Sequence, residues 1–130
     1  QYSDRAIVIE TETNSIVVKA DYDRLKQVLL NLIDNAIKYS DPNTSIQVNL
    51  EAEPTAAIIQ ICDRGYGIPL QHQSRIFERF YRIDEVRTRS TGGSGLGLPI
   101  VKTLVEGMGG SVTLRSKLGE GSIFIISLPV

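Results

Sequence analysis

Apolar residues recur every three or four positions along residues 21–40. On a helix this spacing forms one apolar stripe, made of Leu25, Val28, Leu29, Leu32, Ile33, Ala36 and Ile37. Asp21 or Asp23 can cap the start of such a helix, and the breaker Asp41-Pro42-Asn43 follows its end. The pattern therefore predicts one long amphipathic helix over residues 21–40.

Shorter apolar runs are typical of β-strands. The predicted strands span residues 7–10, 16–19, 46–50, 56–62, 111–116 and 122–128. The first two flank the polar turn Thr13-Asn14-Ser15 and are predicted to form a hairpin, and the last two flank the turn Gly119-Glu120-Gly121. The fourth run is apolar almost throughout, which indicates a central strand.

Two further helices are predicted over residues 69–82 and 98–106. Strands that come in adjacent pairs, with helices between the pairs, predict an α+β fold. We expect a two-layer α/β sandwich whose mixed, mostly antiparallel sheet is covered on one face by three helices. Residues 84–95 contain few apolar groups and several glycines, so we expect them to form a mobile lid.

The composition fits one ordinary globular domain over residues 1–130. Hydrophobic residues make up 42% of the chain, charged residues 22%, and the formal net charge is −1. This balance gives no support to a nucleic-acid-binding or membrane-coating domain. A single cysteine and a single histidine exclude an internal disulfide and a zinc site built from these two residue types. Because the chain starts at Gln1 without an initiator methionine, we expect it to be a fragment of a larger protein.

A polar stripe runs along the predicted long helix, opposite the apolar one. It consists of Gln27, Asn31, Asn35 and Lys38. A solvated helix face is the ordinary explanation, but asparagine costs roughly 0.6 kcal/mol relative to alanine inside a helix. Two asparagines on one line therefore suggest a site. An asparagine carbonyl can bind Mg²⁺, and a lysine can neutralise a phosphate.

All eleven glycines lie between Gly65 and Gly121. Asp63, just before the first of them, is either a turn former or a carboxylate that accepts a hydrogen bond from an exocyclic amine. Residues 92–97 carry four glycines and lead into a predicted helix, so they form either a flexible loop or a site whose free N–H groups bind an anion. Neither a P-loop nor a G-x-G-x-x-G fingerprint occurs.

Four segments in this order resemble the catalytic, ATP-binding domain of sensor histidine kinases, within the GHKL group of ATPases and kinases. They are NLIDNAIKYS at residues 31–40, DRGYGIP at 63–69, FERFYR at 77–82 and GSGLGL at 93–98. GEGSIF at residues 119–124 resembles a fifth segment, although Ser122 stands where the family usually has threonine. The resemblance covers most of the chain.

The resemblance implies a role for each matching residue. Asn35 would bind Mg²⁺, and Asn31 and Lys38 would contact the phosphates of ATP or the waters of the ion. Arg82 would reach the terminal phosphate. The lid residues that would close over the triphosphate are Gly93, Ser94, Gly95, Leu96 and Gly97. The residues that would contact the adenine or ribose are Tyr39, Asp63, Gly65, Gly67, Ile68 and Ser122.

The resemblance also implies a reaction. In the ATP-hydrolysing members of the group a glutamate at the position of Asn31 acts as general base, and an amide cannot take a proton at neutral pH. We therefore expect transfer of the γ-phosphoryl group to a histidine of a separate dimerisation and phosphoacceptor domain, and then on to a response regulator. His72 lacks the family's acceptor context. We expect a cytoplasmic, monomeric domain that binds no nucleic acid; the full-length protein could be membrane-anchored.

Two alternatives stay open at this point. One is a catalytically silent module that binds nucleotide and engages a partner. The other is a serine-directed relative such as an anti-sigma kinase, against which the segment at residues 77–82 argues.

Overall fold

The computed structural model describes residues 7–11, 18, 20–79 and 97–130. Its elements, in chain order, are β1 (Ile7–Thr11), α1 (Tyr22–Tyr39), β2 (Ile46–Ala52), β3 (Ala56–Asp63), α2 (Leu70–Gln73), α3 (Gly97–Gly107), β4 (Ser111–Lys117) and β5 (Gly121–Pro129). From α1 onward this is the predicted order of strands and helices, and the strand predicted over residues 16–19 lies almost wholly outside the described residues. No helix in this described part of the chain is both long and apolar enough to span a bilayer.

The five strands form one sheet in the order β1-β2-β3-β5-β4. Only β1 and β2 are parallel, and the other three pairs are antiparallel. This confirms the predicted mixed, mostly antiparallel sheet. The central pair is β3 and β5, so the run predicted as a central strand lies where its apolar character requires.

The two faces of the sheet differ because side chains alternate along each strand. In β3 the buried residues are Ala57, Ile59 and Ile61, and in β5 Phe124, Ile126 and Leu128 lie opposite them. These side chains pack against the apolar stripe of α1, where Val28, Leu32 and Ala36 are buried, and against Val101 and Val105 of α3. The helices therefore cover one face, as predicted.

Helix α1 begins and ends within one residue of its predicted bounds. The carboxylate of Asp21 accepts a hydrogen bond of 3.0 Å from the backbone N–H of Arg24 and caps the first turn. Ser40, which follows the helix, has an extended backbone. Both ends are set by residues next to the helix in sequence, and this is why the local pattern predicted them.

The helix predicted over residues 69–82 is wrong. Helix α2 ends after one turn at Gln73, and the chain continues in tight turns through residue 79. The backbone N–H of Arg75 donates to the carbonyl of His72, and that of Glu78 to the carbonyl of Arg75, each at 2.9 Å. These bonds span three residues, whereas an α-helix requires four.

Packing explains why the chain leaves the helix at this point. The tight turns carry Ile76 into the core, where it is 5% exposed. They also set the ring of Phe77 edge-to-face against Phe124, with centroids 6.2 Å apart. Phe77 is thus partly buried against the core, in a turn and not in the predicted helix. Residues 80–82 lie outside the described part of the chain.

The predicted N-terminal hairpin cannot be followed beyond its first strand, because residues 12–17 and 19 lie outside the described residues. The first strand itself, β1, is present and pairs in parallel with β2. Ile7 lies opposite Ile46, and Thr11 lies opposite Leu50. The sequence did not predict this pairing.

Candidate functional site

The polar stripe of α1 is present as predicted, because residues 22–39 form one continuous helix. Asn31, Asn35 and Lys38 are half-buried, and Gln27 is exposed. Fully solvated helix faces expose such side chains more completely, so the three half-buried residues border a sheltered surface. They bring two amide groups and one ammonium group to one side of the helix.

Lys38 makes an ion pair that the sequence analysis missed. Its Nζ lies 3.1 Å from Oδ2 of Asp34, one helical turn earlier, and both side chains are about 30% exposed (31% and 30%). Pairs of this spacing on a helix contribute only about 0.3–0.5 kcal/mol. A polyanion could therefore displace the carboxylate of Asp34 from Lys38 at little cost in free energy. Until a polyanion binds, the ion pair keeps the ammonium group near the polar stripe.

The C-terminal end of α1 is joined directly to the loop that follows β3. Ser40 and Gly65 form an isolated antiparallel β-bridge. The backbone N–H of Tyr66 donates to the carbonyl of Tyr39 at 3.3 Å. A Cβ atom at Gly65 would lie only 2.2 Å from that carbonyl oxygen. Glycine is required at this position by the close approach of two backbones, a reason separate from the contact with adenine or ribose that the resemblance implies.

Asp63 occupies the last position of β3 and directly faces Ser122 of β5. Its Oδ1 accepts a hydrogen bond of 3.0 Å from the backbone N–H of Gly65. This bond is the turn-forming role that was one of the two interpretations of Asp63. The backbone of β5 approaches Asp63 closely as well. A Cβ at Gly121, where φ is +116°, would lie 2.1 Å from the carbonyl oxygen of Asp63.

A hydrogen-bond network that sequence reasoning missed fixes the next part of the loop. The hydroxyl of Ser116 in β4 accepts from the backbone N–H of Ile68 at 2.7 Å and lies 2.8 Å from the hydroxyl of Ser122. The side-chain amide of Gln73 donates to the carbonyls of Ile68 at 2.8 Å and Ser116 at 3.1 Å. The two contacts that join this part of the loop to Ser116 span more than forty positions, so no spacing in the sequence signals them.

Gly67 is required to be glycine both by its backbone conformation and by the space around it. Its φ is +74°, a conformation that other residues rarely adopt. A Cβ there would lie 2.2 Å from the carbonyl oxygen of Lys117. Together with the network, a hydrogen bond of 2.8 Å from the backbone N–H of Gly119 to the carbonyl of Tyr66 holds the segment from Asp63 to Ile68 against the turn between β4 and β5.

Several predicted site residues lie outside the described part of the chain: Arg82, Gly93, Ser94, Gly95 and Leu96. The predicted lid over residues 84–95 lies there too. Gly97 is described as the first residue of α3, where it is exposed and an added Cβ would meet nothing within 4 Å.

The polar side chains of α1 suit Mg²⁺ better than they suit a metal ion whose ligands all come from the protein. Among residues 7–11, 18, 20–79 and 97–130, no group of three His, Cys, Asp or Glu side chains could hold a metal ion. Mg²⁺ keeps several waters and is usually bound by one or two protein oxygens together with substrate phosphates. The half-buried amide of Asn35 can supply one such oxygen, so the residues present fit the ion.

Cys62 lies on the opposite face of the sheet from the polar stripe. Burial, and secondarily the negative charge of Asp63, raises the pKa of its thiol above the ordinary value of 9.0. The thiol therefore stays protonated at neutral pH, as expected for a packed residue and not for a nucleophile. A cleft of about 400 Å³ opens beside it, lined also by Arg64, Arg115 and Ile123 and by no residue of α1.

Comparison with known proteins identifies the family. Residues 20–130 match the family described as histidine kinase-, DNA gyrase B-, and HSP90-like ATPase. The chain belongs to this family. This histidine kinase-like ATPase domain is also 46% identical over 109 residues to the sensor protein SrrB of Staphylococcus aureus (strain NCTC 8325 / PS 47). That match covers 84% of the chain but only 19% of the length of SrrB, so the chain spans about a fifth of the curated relatives it matches.

Solved structures of histidine kinases have the same fold. The catalytic domain of histidine kinase ThkA, in a nucleotide-free form, matches with a TM-score of 0.83 and 29% identity, over 97% of this chain and 80% of ThkA's. The mycobacterial sensor histidine kinase MprB matches with a TM-score of 0.83 and 34% identity, over 98% and 83%. Full-length ShkA, solved in complex with AMPPNP, matches with a TM-score of 0.82 and 31% identity over 95% of this chain and 25% of its own.

Proposed function

We propose that this domain binds Mg-ATP and transfers the γ-phosphoryl group to a histidine of a separate dimerisation and phosphoacceptor domain, as part of two-component signal transduction. The observation that carries the proposal is the backbone junction between α1 and the loop after β3. The bridge between Ser40 and Gly65 joins the C-terminal end of α1, which carries Lys38, to the loop that follows Asp63. This junction supports one site that combines the phosphate-binding side chains proposed on α1 with the carboxylate of Asp63. Family membership supports ATP as the nucleotide.

The base-binding half consists of Asp63, Ser122, Ile68 and the glycines between them. The adenine amino group is a hydrogen-bond donor, and Asp63 offers a carboxylate at the end of a central strand. This chemistry favours ATP over GTP. Tyr39, at the last turn of α1, lies next to this loop through its carbonyl and would flank the base or ribose.

The phosphate-binding half lies along α1. Lys38 neutralises charge on the triphosphate, and Asn31 and Lys38 contact the phosphates or the waters of the ion. Mg²⁺ bound through Asn35 would neutralise part of the charge on the β- and γ-phosphates. Arg82 and residues 93–97 complete this half in the proposal, as the family pattern implies.

The transfer itself needs alignment and charge neutralisation more than covalent help from the domain. A nitrogen of the acceptor imidazole forms a bond to the γ-phosphorus, the bond from that phosphorus to the bridging oxygen breaks, and ADP leaves with the electron pair. The imidazole proton passes to solvent. Asn31 cannot activate water as a base, so the site favours the imidazole nucleophile over hydrolysis.

The partners of the domain follow from the same proposal. The acceptor histidine belongs to a helical dimerisation domain, and His72 does not serve as acceptor. A response regulator receives the phosphoryl group afterwards. The domain acts as a monomer in the cytoplasm, and its full-length protein can be anchored in a membrane.

A transfer assay tests the proposal. The chain is mixed with a separately produced phosphoacceptor domain and ATP labelled on its γ-phosphate. We expect label on the acceptor that is lost in acid, as a phosphohistidine requires, and no label on an acceptor that lacks the histidine. Lys38→Met should reduce the transfer rate, whereas Lys26→Met, an exposed lysine of the same helix, should not.

The same assay separates the alternatives. Acid-stable label would indicate a serine-directed kinase. ATP binding measured by calorimetry, with no transfer to any acceptor, would indicate a silent nucleotide-binding module. Failure to bind ATP at all would remove the basis of the proposal.

A further inference from the structure

Ser116 lies at the centre of the network beside the proposed base site. Its hydroxyl accepts a hydrogen bond from the backbone N–H of Ile68 at 2.7 Å and donates one to the carbonyl of Gly121 at 3.1 Å. The hydroxyl of Ser122 lies 2.8 Å away. Every buried side-chain nitrogen or oxygen in the described residues has a partner, so the network is complete as it stands.

The proton of Ser122 can be assigned from this arrangement. A serine hydroxyl has one hydrogen to donate and two lone pairs that accept. The carbonyl of Gly121 can only accept, so both contacts are hydrogen bonds at the same time only when Ser116 donates to Gly121 and Ser122 supplies the hydrogen between the two serines; we assign the hydrogens in this way. Ser122 therefore donates to Ser116, and only its lone pairs remain for any ligand.

We propose that Ser116 is a positioning residue that sets the base specificity of the nucleotide site by holding Ser122 as a hydrogen-bond acceptor beside Asp63. The inference rests on the proposed function, in which Asp63 and Ser122 border the base. These two residues face each other across β3 and β5. Two acceptors side by side suit the amino group of adenine and oppose the carbonyl oxygen that guanine has at the same position.

Gln73 acts on the same loop in a different way. Its side-chain amide binds the carbonyls of Ile68 and Ser116, so it ties the loop to β4 without touching a hydroxyl proton. Loss of this amide loosens the wall of the site for every base alike. Gln73 therefore contributes to affinity and not to the choice between adenine and guanine.

Calorimetric titration of the chain with Mg-ATP and with Mg-GTP tests the proposal. Ser116→Ala should weaken ATP binding about tenfold and reduce the ratio of ATP to GTP affinity by about tenfold, the equivalent of about 1.4 kcal/mol. Ser116→Thr, which keeps the hydroxyl, should restore most of the ratio. Gln73→Met should weaken the binding of ATP and of GTP by the same factor. The matched controls Ser111→Ala and Gln71→Met change exposed residues of the same strand and helix and should leave both affinities unchanged.

Each result decides the question. An unchanged ratio of ATP to GTP affinity in Ser116→Ala, with ATP still bound, overturns the inference and leaves the proposed function intact. Absence of ATP binding by the unaltered chain overturns both. If Ser116→Ala does not fold, the ratio of ATP to GTP affinity is measured in Ser122→Ala, because this variant removes the hydroxyl that Ser116 is proposed to hold as an acceptor. A normal ratio in a folded Ser122→Ala would then refute the assignment.

Discussion

We expect Gly65→Ala to move the base-binding half of the site away from the phosphate-binding half on α1. The added Cβ would lie 2.2 Å from the carbonyl oxygen of Tyr39, more than 1 Å inside the 3.4 Å at which ordinary contact begins. It would also lie 2.9 Å from Ser40 Cα and from Asp63 Oδ1. The first two neighbours are backbone atoms, so the loop itself must move away from α1.

The energetic cost follows from what that movement breaks. Overpacking costs about 1–3 kcal/mol. The hydrogen bond from Tyr66 N–H to the carbonyl of Tyr39, 3.3 Å in length, would add about 0.5–1.5 kcal/mol. We therefore expect Gly65→Ala to lower the free energy of unfolding by about 2–4 kcal/mol, which for a domain of this size corresponds to a fall in Tm of roughly 6–16 °C.

Urea denaturation and thermal melting followed by circular dichroism measure this loss, and ATP titration of the folded fraction measures the site. Gly107→Ala is the matched control, because nothing lies within 4 Å of a Cβ at that residue and its φ is ordinary. We expect the control to be as stable as the unaltered chain or slightly more stable. If the free energy of unfolding of Gly65→Ala lies within about 0.5 kcal/mol of that of the control, which is the usual effect of a surface substitution, the close approach is not a constraint.

Three further predictions concern separate parts of the domain. Asp63→Asn should weaken ATP binding by about 1–3 kcal/mol, because a charged acceptor is lost; equal affinities by calorimetry would refute the adenine role. Asp21→Ala should lower the free energy of unfolding by about 0.5–2 kcal/mol in urea, and Asp23→Ala, which caps nothing, should cost less. The raised pKa of Cys62 means that the folded chain holds the thiol proton more tightly than the unfolded chain. Its stabilising contribution is complete below pH 9.0 and is lost as the pH rises above it, so stability should fall more in the unaltered chain than in Cys62→Ser.

The elements that the sequence predicted well are those whose causes are local. The bounds of α1 follow from a helical period and an adjacent cap at Asp21, and the turn between β4 and β5 follows from its own glycines. The helix predicted over residues 69–82 failed because Ile76 and Phe77 are placed by contacts with the core and not by their neighbours in sequence. A periodic pattern cannot distinguish a helix from turns that bury the same residues.

For the candidate site, the sequence by itself determined which residue types are available and which element carries each. The polar stripe of α1 and the position of Asp63 at a strand end could both be read from residue spacing. What only the tertiary structure decided is which of these segments meet. The bridge from Ser40 to Gly65 and the contacts of Ser116 with Ile68 and Ser122 depend on the strand order, which places β5 between β3 and β4. Strand order results from the packing of the whole sheet against its helices, and no local pattern encodes it.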